Sequence, residues 1–238
     1  MITLFTMIFL YGLDFLFIIL LVLLPFNIDI FTKCVIAMTL HICNTIILSK
    51  VINNFFPIKF GKFSTSSSEY DRWRAQGIIA ISSTLLFDQF IPLWLKSFWF
   101  RLYGANLSKN VVIGGRIIDP LLVTMSENSG LGVEAMILGH LITNGQITIG
   151  PVIIGKYSMV GARAMVLPNT VIGDNAIVGA NSLLTSGKNI KDGETWVGNP
   201  AKLLIKSSIQ NLKKPFKGDK KNNLIKFNSF NKSKIKNF

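Results

Sequence analysis

The two histidines of this sequence, His41 and His140, are its natural candidates for proton transfer near neutral pH. His140 lies in ILGHLITNGQITIGPVIIG (residues 137–155), among apolar residues and glycines, whereas His41 lies in a long apolar run. We therefore take His140 as the candidate general base. The alternative is a hydrogen-bonded structural histidine. No convincing carboxylate partner for His140 can be named, and Glu127 and Glu134 are candidates only by proximity along the chain.

A six-residue repeat follows this histidine. From residue 154 onward every sixth residue is aliphatic, and a small residue stands four positions after each of the first five. The aliphatic positions are Ile154, Val160, Val166, Ile172, Val178 and Leu184, and the small ones are Ser158, Ala164, Thr170, Ala176 and Ser182. Neither a helix nor a lone strand has this period. It predicts a mainly β solenoid whose triangular coils have three flat faces.

The same phase extends upstream and orients His140. Ile113, Leu131 and Ile137 fit the repeat, with a slip of one residue before Ile154 that is most simply placed in the turn around TNG (143–145). His140 is three residues after Ile137, a position that the repeat points outward. The sequence thus predicts that the imidazole points outward from the solenoid.

These motifs carry a resemblance. PVIIGKYSMVGARAMVLPNTVIGDNAIVGANSLLTSG, followed by VGNPAKLL, resembles the hexapeptide-repeat acyltransferases over residues 111–204. That resemblance implies a left-handed parallel β-helix, usually assembled as a homotrimer. FWFRLYGANLSKNVVIG and DPLLV are further similar to the membrane-linked acyltransferase-like modules that end poly-lysine-type peptide synthetases.

The resemblance also assigns roles to residues. His140 would remove a proton from an acceptor hydroxyl or amine as that atom attacks the thioester of acetyl-CoA or another acyl-CoA, and Asn144 could orient the acceptor. The pantetheine arm would lie along small residues, for each of which turn geometry is the alternative explanation: Gly161, Ala162, Gly179 and Ala180. Lys202 would lie near the CoA phosphates. Trp196 would cover the adenine or cap the last coil.

Three segments depart from the family pattern, and another class of protein shares the predicted fold. LPN (167–169) stands where LPG is usual, and asparagine tolerates the same turn. SENS (126–129) and LSKN (107–110) also depart, so we expect irregular first coils. A γ-type carbonic anhydrase shares the fold but needs three histidines around zinc, and the repeat region has one. No metal is therefore expected.

The first 52 residues have the composition of a membrane anchor. Half of the chain is hydrophobic and only 16% is charged. The run 2–26 contains one charge, Asp14, and a second apolar run covers 34–52. Each is long enough to approach a bilayer's thickness, which predicts a transmembrane helical hairpin, with two buried core helices as the alternative. Asp14 and His41 should then hydrogen-bond across the hairpin, because ionisable groups in a membrane seek partners.

Residues 53–109 are interpreted as an interfacial, amphipathic connector. KFGKFSTSSSEYDRWRAQG is polar and turn-rich, and GIIAISSTLLF is too short to span a bilayer. In IPLWLKSFWFRLYG, Pro92 suits the first turn of a helix, and its aromatic and cationic residues suit a membrane surface or packing on the next domain.

The β-helix domain is placed at 110–205 and a basic tail at 206–238. Residues 202–238 hold eleven lysines against one acidic residue, within a net charge of +13. We expect acidic lipid rather than nucleic acid as the partner of this charge.

The sequence as a whole predicts a membrane-anchored acyltransferase acting on a hydroxyl or amine of a cell-envelope acceptor, for example a lipid-linked glycan. Positive charges cluster after the second apolar run, so the β-helix should face the cytoplasm. Two alternatives stay open: an amide-forming module acting on an amino acid or peptide, and a non-catalytic β-helix scaffold.

Overall fold

The structure is a computed structural model, and it describes residues 2–23, 28–87 and 91–204. Four helices precede the β-helix: α1 (Ile2–Leu23), α2 (Ile30–Phe55), α3 (Ser68–Phe87) and α4 (Leu93–Leu102). The lysine-rich tail, predicted at 206–238, lies outside the described residues.

Helices α1 and α2 form the predicted hairpin, and the predicted polar contact across it is confirmed. Asp14 Oδ2 lies 2.8 Å from His41 Nδ1, and Asn44 Nδ2 donates to Asp14 Oδ1 at 3.2 Å. Asp29 caps α2 by accepting the backbone N–H of Thr32 at 2.7 Å. In the described part of the chain, α2 is the one helix long and apolar enough to cross a membrane, with 26 residues and a mean hydropathy of 1.8.

Helix α3 differs from the sequence interpretation. The stretch read as polar and turn-rich supplies its first ten residues, and GIIAISSTLLF continues the same helix. Ser67 caps it, because its Oγ accepts the N–H of Tyr70 at 3.2 Å. Ile79 is buried against Leu10 of α1 and Leu48 of α2. Packing of this one face on the hairpin stabilises a helix that local composition did not favour.

The remaining chain forms three parallel sheets, the faces of a β-helix. The first face contains β2 (Asn106–Leu107), β5 (Val123–Met125), β10 (Val152–Ile154), β13 (Thr170–Ile172) and β16 (Asn189–Ile190). The second contains β3 (Val112–Ile113), β6 (Gly130–Leu131), β11 (Met159–Val160), β14 (Ile177–Val178), β17 (Thr195–Val197) and an antiparallel β18 (Lys202–Leu203). The third contains β4 (Arg116–Ile117), β7 (Met136–Ile137), β12 (Met165–Val166) and β15 (Leu183–Leu184).

The predicted repeat and its core are confirmed. Strand partners such as Met159 and Ile177 are one coil, or eighteen residues, apart. The predicted inward positions are no more than 1% exposed, and they stack in columns: Ile154, Val160, Val166, Ile172, Val178 and Leu184. LPN also behaves as expected, since Asn169 adopts φ 58° at its corner.

The predicted one-residue slip is an inserted hairpin instead. Ile137 and Ile154 are 17 positions apart, which is one six-residue step plus eleven extra residues. These residues form β8 (His140–Thr143) and β9 (Gln146–Ile149), which pair with β1 (Gly61–Ser64) as a separate antiparallel sheet. Asn144 and Gly145 have φ 49° and 69°, as a tight two-residue hairpin turn requires.

The first coil is irregular, but not where the sequence suggested. Asn110 and Asn128, in LSKN and SENS, adopt ordinary corner conformations with φ 58° and 57°. The irregularity lies at 114–122. A Cβ on Gly115 would sit 2.1 Å from the carbonyl oxygen of Ala135, so the chain turns there in close contact with the next coil. A 3-10 helix, Pro120–Leu122, then leads into the second coil.

Helix α4 caps this first coil with one of its faces, and contact of its other face with a membrane stays a prediction. Trp99, Phe100 and Tyr103 are buried in the core of the β-helix, whereas Trp94 is 78% exposed. The hydroxyls of Tyr103 and Thr45 are 2.8 Å apart, which ties the cap to α2.

Candidate active site

His140 stands where the chain leaves the third face of the β-helix. It follows the corner residue Gly139, begins β8 and pairs with Ile149 of β9. The close packing of this corner explains the glycine, since a Cβ there would meet Leu122 Cδ1 at 2.5 Å. The imidazole is thus held at the start of a hairpin rather than at its tip, and 17% of its surface is exposed.

The carboxylate partner of His140 is Asp119, which the sequence analysis missed. Its Oδ2 lies 2.7 Å from His140 Nδ1 and accepts the backbone N–H of Gly139 at 2.8 Å. Asp119 is 7% exposed. The candidates by proximity were wrong: Glu134 pairs with Arg163 at 2.6 Å, and Glu127 lies on an exposed corner.

Register explains both the contact and why it was missed. Ile117 and Ile137 are strand partners, so the residues two positions after each, Asp119 and Gly139, are neighbours on adjacent coils. This step is 20 residues rather than 18, because Ile117 follows Ile113 by four positions instead of six, whereas the steps from β2 to β5 and from β3 to β6 are 18. A step of 20 residues aligns Asp119 with Gly139, the residue before His140.

A third side chain, Trp73 of α3, completes the cluster. Its indole Nε1 donates to Asp119 Oδ1 at 2.8 Å, and its ring centroid lies 4.4 Å from that of His140. Asp119 therefore accepts three N–H groups on two oxygens. The sequence analysis placed Trp73 in an irregular connector, so nothing indicated this contact.

The cluster defines the chemistry that His140 can perform. An ionised carboxylate only accepts hydrogen bonds, so Nδ1 carries the proton and Nε2 keeps its lone pair. Among the described residues no group hydrogen-bonds His140 Nε2. When Nε2 takes a proton, Asp119 stabilises the resulting imidazolium. This is the arrangement of a general base with an orienting carboxylate.

A cavity of about 360 Å³ opens beside this pair, and we call it the His140 cavity. One wall of the cavity belongs to α3 and the other to the third face of the β-helix. The residues without polar side chains that line it are Gly77, Ile78, Ile81, Ile118, Met136 and Leu138. Trp73, Arg74, Asp119 and His140 also line it. Its size falls at the lower end of the ~300–1,000 Å³ of small-molecule sites.

The structure does not bring Asn144 to His140. Asn144 occupies the turn at the tip of the hairpin, with the ladder pairs of β8 and β9 between it and the base. The tip is fixed to the segment after β1, because the carbonyl of Gly145 accepts from both the N–H and the hydroxyl of Thr65, each at 3.0 Å. Asparagine suits this turn for backbone reasons, and a role toward the acceptor stays a prediction.

The predicted pantetheine residues form a column at another corner. Gly161 and Gly179, with Ala162 and Ala180, lie between the second and third faces, whereas His140 leaves the corner between the third and first. A Cβ on Gly161 would lie 2.5 Å from the backbone nitrogen of Ala180. Close stacking of the coils thus explains this glycine, and its role in binding a cofactor stays a prediction.

The two remaining predicted residues lie at the last coil. Trp196 pairs with Val178 and packs on the end of the core, as a cap would. Its indole donates to Glu194 at 2.9 Å, which is the largest cause that lowers the pKa of that carboxyl below its usual value. Lys188 Nζ lies 5.6 Å from the Trp196 ring centre. Lys202 is exposed on β18.

In the part of the chain that the structure describes, no three His, Cys, Asp or Glu side chains are grouped so as to hold an ion.

Comparison with known proteins finds a family model and two relatives that match part of this chain. Residues 151–186 match the model of the bacterial transferase hexapeptide (six repeats). A delta-poly-L-ornithine synthetase of Acinetobacter baumannii is 31% identical over 149 residues, 62% of this chain. The chain spans only 11% of that protein's length. YvoF of Bacillus subtilis, named as a candidate acetyltransferase, is 26% identical over 165 residues, 69% of this chain and 82% of YvoF.

Solved structures with similar coils include two acetyltransferases. A maltose O-acetyltransferase from Clostridium difficile is 18% identical, with a TM-score of 0.44 over 66% of this chain and 95% of its own. A hexapeptide-repeat acetyltransferase from Vibrio cholerae, complexed with acetyl coenzyme A, is 14% identical, with a TM-score of 0.47 over 62% and 94%.

Proposed function

We propose that this chain, which matches the hexapeptide transferase model over residues 151–186, transfers an acetyl or similar acyl group from acyl-CoA to a hydroxyl or amine of a cell-envelope acceptor. The observation that carries the proposal is the pairing of His140 with Asp119, at 2.7 Å, on the wall of a cavity that could hold an acceptor. A structural histidine would not need a cavity beside it.

The reaction follows from the proton positions. His140 Nε2 takes the proton of the acceptor O–H or N–H while that oxygen or nitrogen bonds to the thioester carbonyl carbon. The carbon–sulfur bond then breaks, and the leaving CoA sulfur takes the proton back from the imidazolium. Asp119 holds the ring in the required tautomer throughout. Trp73 and the N–H of Gly139 fix Asp119 in turn.

Acyl-CoA is the proposed co-substrate, with its pantetheine arm along Gly161, Ala162, Gly179 and Ala180. Within one chain these residues and His140 occupy different corners. A homotrimer would bring one chain's His140 corner near a neighbour's glycines. Apolar outer positions support such an assembly, since Val112, Met159 and Ile177 are 53%, 47% and 46% exposed on the second face.

Membrane anchoring is proposed for the helices. Along α1 the exposed residues are apolar, among them Ile8 at 65% and Phe15 at 64%. An apolar surface of this extent favours lipid over water. The cationic residues that follow α2 support an orientation with the β-helix on the cytoplasmic side of the cell membrane, where acyl-CoA is available.

The test uses the full-length protein with acetyl-CoA labelled in its acetyl group and a cell-envelope lipid extract. We expect label in the extract with the wild type and none above background with His140→Ala, while thermal stability of the variant is kept. Equal transfer by the two proteins would refute His140 as the base. Absence of transfer and of CoA binding in the wild type would favour a non-catalytic scaffold.

An amide-forming activity is the second candidate, and the similarity to a poly-ornithine synthetase favours it. The same assay with free ornithine or lysine as acceptor separates the two. Label that alkaline hydroxylamine releases is an ester, whereas label that resists it is an amide.

A further inference from the structure

We propose that the His140 cavity holds the hydrocarbon tail of a membrane-resident acceptor, which enters along α3 and presents its hydroxyl or amine to His140. Only the statement about the reacting hydroxyl or amine of the acceptor rests on the proposed function. The tail site itself can be tested without any transfer.

The lining of the cavity decides the class of ligand. Gly77, Ile78 and Ile81 form the α3 wall, and the opposite wall is equally apolar. The polar groups are concentrated at one end, and most are already engaged. Asp119 accepts from Trp73 and His140, and Arg74 donates to Asp71 at 2.8 Å. A soluble polyol would bury hydroxyls without partners here, at a cost that a hydrocarbon chain avoids.

The direction of the cavity points to the membrane as the source. Its α3 wall runs from Trp73, which touches the base, through Gly77 to Ile81, which is 45% exposed. On the other side of α3, Ile79 packs against Leu10 of α1. Helix α3 therefore lies between the cavity and α1, and Ile81 marks the exposed end of the cavity. In this proposal, a lipid tail enters at that end.

One residue allows the cavity to be filled without disturbing the protein. A Cβ on Gly77 would have no atom within 4 Å, because it faces open space, and Gly77 lines the cavity. Gly77→Leu should therefore project into the cavity and also favour the helix. Gly12 of α1 is the matched control, since a Cβ there also meets nothing within 4 Å and Gly12 does not line the cavity.

The experiment reconstitutes the full-length protein in vesicles of phosphatidylethanolamine and phosphatidylglycerol. The vesicles contain a long-chain primary alcohol with a photoreactive diazirine in its chain. After illumination, labelled peptides are mapped by mass spectrometry. We expect label on 77–81 and 136–138 in the wild type and in Gly12→Leu, and about tenfold less in Gly77→Leu, whose new side chain occupies the space. Label on α1 should be equal in all three and serves as the internal reference.

The outcomes separate this inference from the proposed function. His140→Ala should keep the cavity label although transfer is lost. Cavity label with no transfer by the wild type would leave the tail site standing and overturn the proposed function. Label on α1 but none on 77–81 overturns the tail site, and so does equal label in Gly77→Leu. Displacement of the label by octanoyl-CoA but not by acetyl-CoA would show that the cavity binds the acyl donor. Absence of label on α1 would show that the ligand does not come from the membrane. Either result refutes the proposal.

Discussion

Asp119→Asn is the most informative single change, because the carboxylate accepts three N–H groups on two oxygens. An asparagine amide has one oxygen and one NH₂ group. The NH₂ group therefore meets an N–H donor on one side of the site, and no acceptor lies between the two donors. If the NH₂ group lies next to Trp73, one N–H loses its acceptor. If it lies next to Gly139 and His140, two N–H groups lose theirs. We expect the first orientation, which keeps Nδ1 of His140 protonated and Nε2 available.

The change affects both stability and activity. For stability, a buried donor without an acceptor costs about 1–3 kcal/mol. For activity, the imidazolium loses a charged partner, and hydrogen bonds to charged groups contribute about 1.5–3 kcal/mol. At about 1.4 kcal/mol per factor of ten, the rate constant kcat should fall roughly 10- to 150-fold, while KM for the acyl-CoA stays close to that of the wild type.

A second change separates the structural effect from the catalytic one. Trp73→Phe removes the opposing indole N–H and keeps an aromatic ring beside His140. In the double variant we expect about 1 kcal/mol of the lost stability to return, a coupling typical of residues in one network. The loss of kcat should remain, since the charge on residue 119 is still absent.

The assay combines chemical denaturation of the four proteins, wild type, both single variants and the double, with steady-state transfer from acetyl-CoA. Asp119→Asn with a kcat within a factor of about three of the wild type would refute the role of Asp119 toward the imidazolium. Strictly additive losses of stability in the double variant would refute the shared network.

Three further changes test other parts of the molecule. His140→Ala should lower transfer by about 10²–10⁴-fold with an unchanged melting temperature, and a comparable loss of stability would instead indicate a structural histidine. Gly161→Ala should destabilise the β-helix by about 1–3 kcal/mol, because its Cβ would lie 2.5 Å from a backbone nitrogen; calorimetry showing no change would contradict that close approach. Asp14→Leu should lower the melting temperature in detergent because it removes the carboxylate from His41, and Asp14→Leu with His41→Leu should recover most of the loss. Failure of that recovery would mean that the pair is not the reason for the loss.

Membrane orientation gives a fifth prediction. A cysteine placed in the lysine-rich tail should resist an impermeant thiol reagent in intact cells and react after lysis. The native Cys34 and Cys43 are exposed in the hairpin, so they are replaced by serine in this experiment and in its tail-less control. Labelling of the tail in intact cells would reverse the assigned topology.

The β-helix was predictable from the sequence because its core is a local, repeated pattern. Every inward position between Ile154 and Leu184 was identified from a period of six, and these positions are buried. The contact between Asp14 and His41 was predictable for a related reason. Two ionisable residues at similar depths of an antiparallel hairpin have few other partners.

Only the tertiary structure decided what surrounds His140. Asp119 reaches it because β4 begins two residues early in its coil, which makes the step from Ile117 to Ile137 20 residues, and Trp73 reaches both because packing on the hairpin makes a helix of a polar stretch. Neither cause is visible in a window of local sequence: the first depends on register between coils, and the second on burial against residues far away along the chain. The repeat therefore indicated only that His140 lies outside the core of the β-helix. Long-range packing determined which groups orient it and which cavity it faces.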